Sequence, residues 1–190
     1  MELAYIILIA LSLGLVAFVN AFWGGIYRCL CFSESLRLAG AFMIYTTVMF
    51  GIGTWLGRAF ANGLGWSAIP VAESVIVLLG IKLTYYGMQN RPERKSFNLG
   101  KINELMAVSF ASSLNAFIAG LGYGMLRSSP GLMYYSIMAS VVLFSLLGVT
   151  LGKKQGRFII PRIASLLSGI SLIILAILLG IELYNLKGIR

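Results

Sequence analysis

Six long apolar stretches most constrain how this chain can fold. An α-helix needs about 20 apolar residues to cross the roughly 30 Å hydrocarbon core of a bilayer, and each stretch is about that long. They lack the alternating polarity and the length of about ten residues that are typical of membrane β-strands. Only short connections separate them, which leaves no room for a soluble domain. The stretches lie near residues 4–23, 36–57, 68–88, 104–126, 131–152 and 159–184.

The composition supports a membrane protein. Of the 190 residues, 59% are hydrophobic and only 11% are charged, whereas about a quarter of the residues in a soluble domain are charged. So few charges cannot cover a globule with polar surface, and the lipid bilayer must therefore be the solvent for most of the chain. We predict an all-α polytopic membrane protein with one membrane domain, residues 1–190.

The positions of the Lys and Arg residues predict the orientation in the membrane. Ten of them lie in or beside the first, third and fifth connections, four lie on the opposite side, and Lys82 lies within the third stretch. Because Lys and Arg accumulate on the cytoplasmic side, we predict a cytoplasmic loop at 91–101 and both termini outside the plasma (inner) membrane. The net charge of +9 thus follows the topology, and we expect no nucleic-acid partner.

The two halves of the chain are predicted to be inverted repeats. With three spans in each half, residues 1–90 and 102–190 would enter the membrane in opposite orientations. The segment VAF at 16–18 aligns with NAF at 115–117, and small residues and glycines follow both. Many secondary transporters are built in this way, with the binding site near the middle of the membrane where the repeats meet.

Polar side chains within the apolar stretches are candidates for a transport path. An amide buried without partners costs a few kcal/mol, so Asn20 and Asn115 should face protein or water. Helical spacing places Ser112 on the same side as Asn115. A polar seam between helices 1, 2 and 4 is one interpretation, and hydrogen bonding between close-packed helices is the other. The candidate path residues are Asn115, Asn20, Thr46, Thr47, Ser112 and Ser113.

Two charged residues lie near the predicted cytoplasmic ends of the spans. Glu34 opens helix 2, where a carboxylate favours the helix dipole or could serve a cytoplasmic gate. Lys82 could extend its side chain to the cytoplasmic interface or pair with a carboxylate or a substrate. We assign both to a cytoplasmic mouth.

The sequence lacks the residues that common catalytic motifs require. The chain has no His, and all six acidic residues are Glu, which excludes a Ser-His-Asp triad and an HExxH zinc motif. Cys29 and Cys31 alone make a poor metal site. We therefore expect no enzymatic activity and no cofactor.

Several segments together resemble a known family. They are FSESLR at 32–37, LLGIKLTYYG at 78–87, SSLNAF at 112–117, and the glycines at 148, 152 and 156. This combination resembles the MntP-type manganese efflux pumps of the LysE-like exporter superfamily, over nearly the whole chain. The resemblance implies a bundle of six helices in two inverted repeats that exports Mn²⁺ across the membrane.

The chain departs from that family at its charged positions. The family places an Asp before Ala-Phe in helices 1 and 4, and a Glu in helix 2, where this chain has Val16, Asn115 and Thr46. Carboxylates supply most of the neutralising charge around a hard cation such as Mn²⁺. The resemblance therefore supports the family's fold more strongly than it supports binding of the metal. If a metal does bind, Asn115 is the best candidate ligand.

The expected function is a secondary transporter that exports a divalent cation, with Mn²⁺ implied by the resemblance, or a small polar solute by alternating access. Two alternatives remain open. A scaffold or accessory membrane protein that no longer transports would explain the missing carboxylates. An exporter of a neutral or zwitterionic solute would suit an amide-lined pocket.

Overall fold

A computed structural model describes residues 2–27, 32–65, 68–89, 102–126, 131–155 and 159–188, and within these ranges it contains six long helices and no strand. Every helix contains a stretch long and apolar enough to cross a membrane, which confirms the predicted spans. The predicted loop at 91–101 and the two cysteines lie outside the described residues. The helices are α1 (Glu2–Tyr27), α2 (Phe32–Leu64), α3 (Ala68–Gln89), α4 (Ile102–Met125), α5 (Gly131–Gln155) and α6 (Ile159–Gly188).

Helix α2 is longer than its apolar stretch predicts. It continues past residue 57, the end of the predicted stretch, so that Arg58 lies on the exposed surface of the helix. No proline or other helix-breaking signal follows Arg58 at once. The helix ends before Gly65, whose φ of 56° is the left-handed conformation that commonly terminates helices.

Three helix pairs form the framework of the bundle. The most extensive contacts are between α1 and α5, between α2 and α4, and between α3 and α6. Helix α1 is the most buried span, and its side chains Ile9, Leu13 and Ala17 belong to the central core. Large apolar residues on the outer surface, such as Trp55, Tyr135 and Leu143, are suited to contact lipid.

Glycines bring α2 and α4 into backbone contact. A Cβ atom on Gly53 would overlap the carbonyl oxygen of Phe117, and one on Gly57 would overlap that of Leu121. In return, a Cβ on Gly120 would overlap the carbonyl oxygen of Phe50. Small residues at every fourth position allow this approach, as in other membrane helix pairs.

The α1–α5 pair uses the same device. A Cβ on Gly148 would overlap the carbonyl oxygen of Phe18, and one on Gly152 would overlap that of Phe22. The central helix α1 is therefore fixed against α5 along much of its length, and its remaining surface contacts mainly α6 and α4.

Candidate functional site

A cleft of about 550 Å³ lies between α1, α3, α4 and α6. Its residues come from the C-terminal halves of α1 and α3 and, for the most part, from the N-terminal halves of α4 and α6. The cleft thus lies toward the end of the bundle from which the first, third and fifth connections leave. Most of the lining is apolar, and its polar side chains are Asn20, Lys82, Tyr86, Ser112, Asn115 and Ser165.

Two hydrogen bonds join three helices across the cleft. The Asn20 side-chain nitrogen donates to Ser112 Oγ at 2.9 Å, which links α1 to α4. The Lys82 ammonium donates to Asn115 Oδ1 at 3.0 Å, which links α3 to α4. Residues three apart share one face of a helix, so Ser112 and Asn115 present both contacts from the same side of α4.

The amide of Asn115 has one possible orientation toward Lys82. An ammonium group has donors and no acceptor, so the side-chain oxygen must face Lys82 and the nitrogen must point away. Within the described part of the chain, that nitrogen has no hydrogen-bond partner. Asn115 therefore retains two unused donors beside the cleft.

The charge of the cleft is positive. Lys82 is the only charged residue among the described lining residues, which include no carboxylate. No group of three or more His, Cys, Asp or Glu occurs among the described residues either. Hard dications prefer oxygen ligands that bring negative charge, whereas this site offers amides, hydroxyls and an ammonium. The described lining does not fit a bare divalent cation.

The structure separates the remaining predicted path residues from this cleft. Thr46 is buried on α2, and Thr47 Oγ1 on the same helix is buried without a hydrogen-bond partner among the described residues. Ser113 Oγ donates to the carbonyl oxygen of Phe110 at 2.7 Å and is fully buried. The cause is the α2–α4 contact, since α4 turns the face of Gly120 and Gly124 toward α2 and a neighbouring face toward the cleft.

The two residues assigned to a cytoplasmic mouth lie apart. Glu34 is in the first turn of α2, a helix that contributes nothing to the described cleft lining. Lys82 lies in the cleft, bound to Asn115. Of the predicted residues, the structure thus brings together Asn20, Lys82, Ser112 and Asn115.

Sequence reasoning missed two polar members of the cleft. Tyr86 lies four residues after Lys82, and helical spacing could have identified it. Ser165 on α6 donates to the carbonyl oxygen of Leu83 at 3.3 Å. No signal in the sequence indicates that α6 packs beside α3 at this level.

Beyond the cleft, α1 and α6 are held together by a pair of buried serines. Ser12 Oγ donates to the carbonyl oxygen of Ser168 at 3.0 Å, and Ser168 Oγ donates to that of Ser12 at 3.1 Å. Both side chains are fully buried. The apolar side chains Ile9, Leu13 and Leu172 are also buried in this half of the bundle. The bundle is therefore open beside Asn115 and closed at this serine pair.

Comparison with known proteins gives a consistent family. The family model described as "Putative manganese efflux pump" matches residues 29–179. A protein of Rippkaea orientalis named "Putative manganese efflux pump MntP" is 31% identical over 175 residues, which are 91% of this chain and 92% of that protein. One of the same name from Crocosphaera subtropica is 28% identical, over 96% of this chain and 97% of the relative.

A third relative, "Putative manganese efflux pump MntP 2" of Wolinella succinogenes, is 30% identical over 78% of this chain and 81% of its own length. No solved structure matches the chain. The family model covers most of the chain, and the described part of the chain has six helices long and apolar enough to cross a membrane. This multi-pass membrane protein therefore belongs to the MntP family of manganese efflux pumps.

Proposed function

We propose that the chain is a secondary transporter that moves a small solute or ion out of the cell through the cleft by alternating access. The observation that carries this proposal is a cleft with polar side chains that is open toward one end of the bundle and is closed beyond its inner end by the buried pair Ser12 and Ser168. Its membership in a family of efflux pumps supplies the direction of transport.

The helix contacts support two inverted repeats. The alignment of VAF with NAF makes Phe18 the counterpart of Phe117, and Gly148 meets Phe18 as Gly53 meets Phe117. One turn further, Gly152 meets Phe22 as Gly57 meets Leu121. Exchanging the halves of the chain would thus convert the α1–α5 contact into the α4–α2 contact.

Corresponding positions of the proposed repeats lie in different environments. Under the same alignment, Val108 and Ser112 of α4 correspond to Ile9 and Leu13 of α1. The α4 pair lines the open cleft, whereas the α1 pair is buried in the closed half. Alternating access needs such a difference, because rocking one repeat against the other exchanges the open and closed sides.

The side of opening follows from the charge distribution. The cleft lies nearest the first, third and fifth connections, which hold most of the cations. The predominance of Lys and Arg there favours the cytoplasmic side. On this basis we propose that the cleft faces the cytoplasm, that both termini lie outside, and that the serine pair belongs to the barrier on the outer side of the cleft.

The names of the relatives make Mn²⁺ the first cargo to test. A dication would have to enter beside the Lys82 ammonium without a carboxylate among the described lining residues, which is costly within a membrane. The mechanism of transport does not depend on this ion, and the cargo needs a separate experiment.

Cysteine labelling tests alternating access without knowledge of the cargo. In a Cys29→Ser, Cys31→Ser background, we expect Ala111→Cys, in the cleft, to react with an impermeant maleimide from the cytoplasmic side. Leu13→Cys, in the closed half, should react more slowly and from the outer side. Val141→Cys, fully buried in α5, is the matched control and should stay unlabelled. Protection of Leu13→Cys equal to that of Val141→Cys would contradict alternating access.

A further inference from the structure

We propose that the cleft binds the carboxylate group of a small organic solute, with Lys82 as its counter-charge. This inference rests on the proposed function for its claim that the bound solute is the cargo. The site nevertheless binds whether or not transport follows, so that the two claims can be tested apart.

The first argument is the uncompensated charge. Lys82 lies in a cleft whose described lining contains no acidic residue, and its side-chain partner there is the neutral amide of Asn115. The neutral oxygen of an amide can orient an ammonium group, but it does not neutralise the positive charge of that group. A carboxylate would supply the missing negative charge and a charge-assisted hydrogen bond.

The second argument is the balance of donors and acceptors. An ammonium has three N–H donors, and Lys82 directs one to Asn115 Oδ1. The Asn115 amide nitrogen adds two donors without partners in the described part of the chain. Unused donors from two neighbouring side chains match the acceptor-only oxygens of an ionised carboxylate, and they match a metal cation poorly.

The third argument is the size and polarity of the cleft. A volume of about 550 Å³ falls in the range of pockets for small organic molecules and is far larger than a bare ion needs. Apolar side chains of α1 and α3, among them Val16, Val19 and Leu83, complete the lining. The cleft therefore suits a solute with one anionic end and a short apolar body.

Binding of hexanoate to the full-length protein in neutral detergent tests the proposal. At constant ionic strength, we expect hexanoate to raise the unfolding temperature in a saturable manner. Hexanamide, which has nearly the same shape without the charge, and hexylammonium, which has the opposite charge, should leave it unchanged. Stabilisation by MnCl2 without any by hexanoate, or equal effects of hexanoate and hexanamide, would overturn the proposal.

Variants locate the bound carboxylate. We expect Lys82→Gln to weaken hexanoate binding about 10- to 100-fold, the range for a hydrogen bond to a charged group, and Lys82→Arg to retain binding. Lys154→Gln removes the same charge from the exposed end of α5 and should leave the dissociation constant unchanged. Equal weakening by Lys154→Gln and Lys82→Gln would place the anion elsewhere.

One further substitution places a competing charge inside the site. Asn115→Asp keeps the shape of the side chain and would pair with Lys82, so we expect it to abolish the hexanoate effect without loss of folding. Unchanged hexanoate binding in Asn115→Asp would contradict the proposal. Cysteine labelling that shows alternating access, combined with no hexanoate binding, would contradict this inference and leave the transport mechanism intact. Hexanoate binding without such labelling would contradict the transport mechanism and leave this inference intact.

Discussion

Adjacent residues of α4 differ in their roles because the helix divides its surface between two neighbours. Ser112 and Asn115 face the cleft, whereas Ser113 is buried. Helical spacing was sufficient to place Ser112 with Asn115, since that spacing is a property of the helix itself. It could not exclude Thr46 and Thr47, because the face that α2 turns toward α4 depends on glycine contacts between distant segments.

Two fully buried serines give a matched test of the outer barrier. Ser168 exchanges hydrogen bonds with Ser12, whereas the buried hydroxyl of Ser145 has no partner in the described part of the chain. We expect Ser168→Ala to lower the free energy of unfolding by about 1–2 kcal/mol. Ser145→Ala should leave it unchanged or raise it slightly, because it removes an unsatisfied group. Equilibrium unfolding in detergent measures both, and equal losses would contradict this assignment of the serine pair.

At the scale of the helices, hydropathy predicted all six spans because their length is imposed by the bilayer. The end of α2 was missed because it depends on Gly65, whose conformation is not readable from an apolar run. The pairing of α1 with α5 and of α2 with α4 was also beyond prediction. Glycine spacing indicates that a helix packs closely, but it does not identify the partner.

Alanine substitutions at two glycines separate close packing from ordinary helix propensity. A Cβ at position 120 would overlap the backbone of α2, whereas one at Gly40 meets nothing within 4 Å. We expect Gly120→Ala to lower the free energy of unfolding by about 1–3 kcal/mol, as overpacking does. Gly40→Ala should change it by less than about 0.5 kcal/mol. Comparable values for the two variants in thermal unfolding would show that the helices are not held at this distance.

For the molecule as a whole, the sequence indicated the family and the approximate site, and the structure changed the expected chemistry of that site. Asn115 was recognised at a position where the resemblance implies an Asp. That Lys82 reaches this amide could not be foreseen, because it requires α3 to lie beside α4. The sequence analysis treated Asn115 and Lys82 as separate polar residues, whereas the structure joins them in one positively charged cleft.

Intracellular manganese provides a test of that charge. In cells without their own manganese exporter, we expect the wild-type chain to leave intracellular Mn unchanged under manganese stress. The double variant Val16→Asp, Asn115→Asp places two carboxylates on the cleft lining and should lower it, because a dication then gains compensating charge. Membrane insertion of both forms is the control. Lower manganese in wild-type cells that is lost in Asn115→Leu would instead make the amide a working ligand.

The central claim is that the bundle alternates between openings on its two sides, and a reversible lock tests it most directly. Ser12→Cys and Ser168→Cys place two thiols where the hydroxyl oxygens are 3.0 Å apart. The variant also carries Cys29→Ser and Cys31→Ser, and Ala111→Cys serves as the labelled reporter. We predict that a disulfide between positions 12 and 168 raises labelling of Ala111→Cys from the cytoplasmic side and that reduction restores the original rate. Ser12→Cys without its partner should show no such change. Labelling of Ala111→Cys that is indifferent to a formed disulfide would contradict the account.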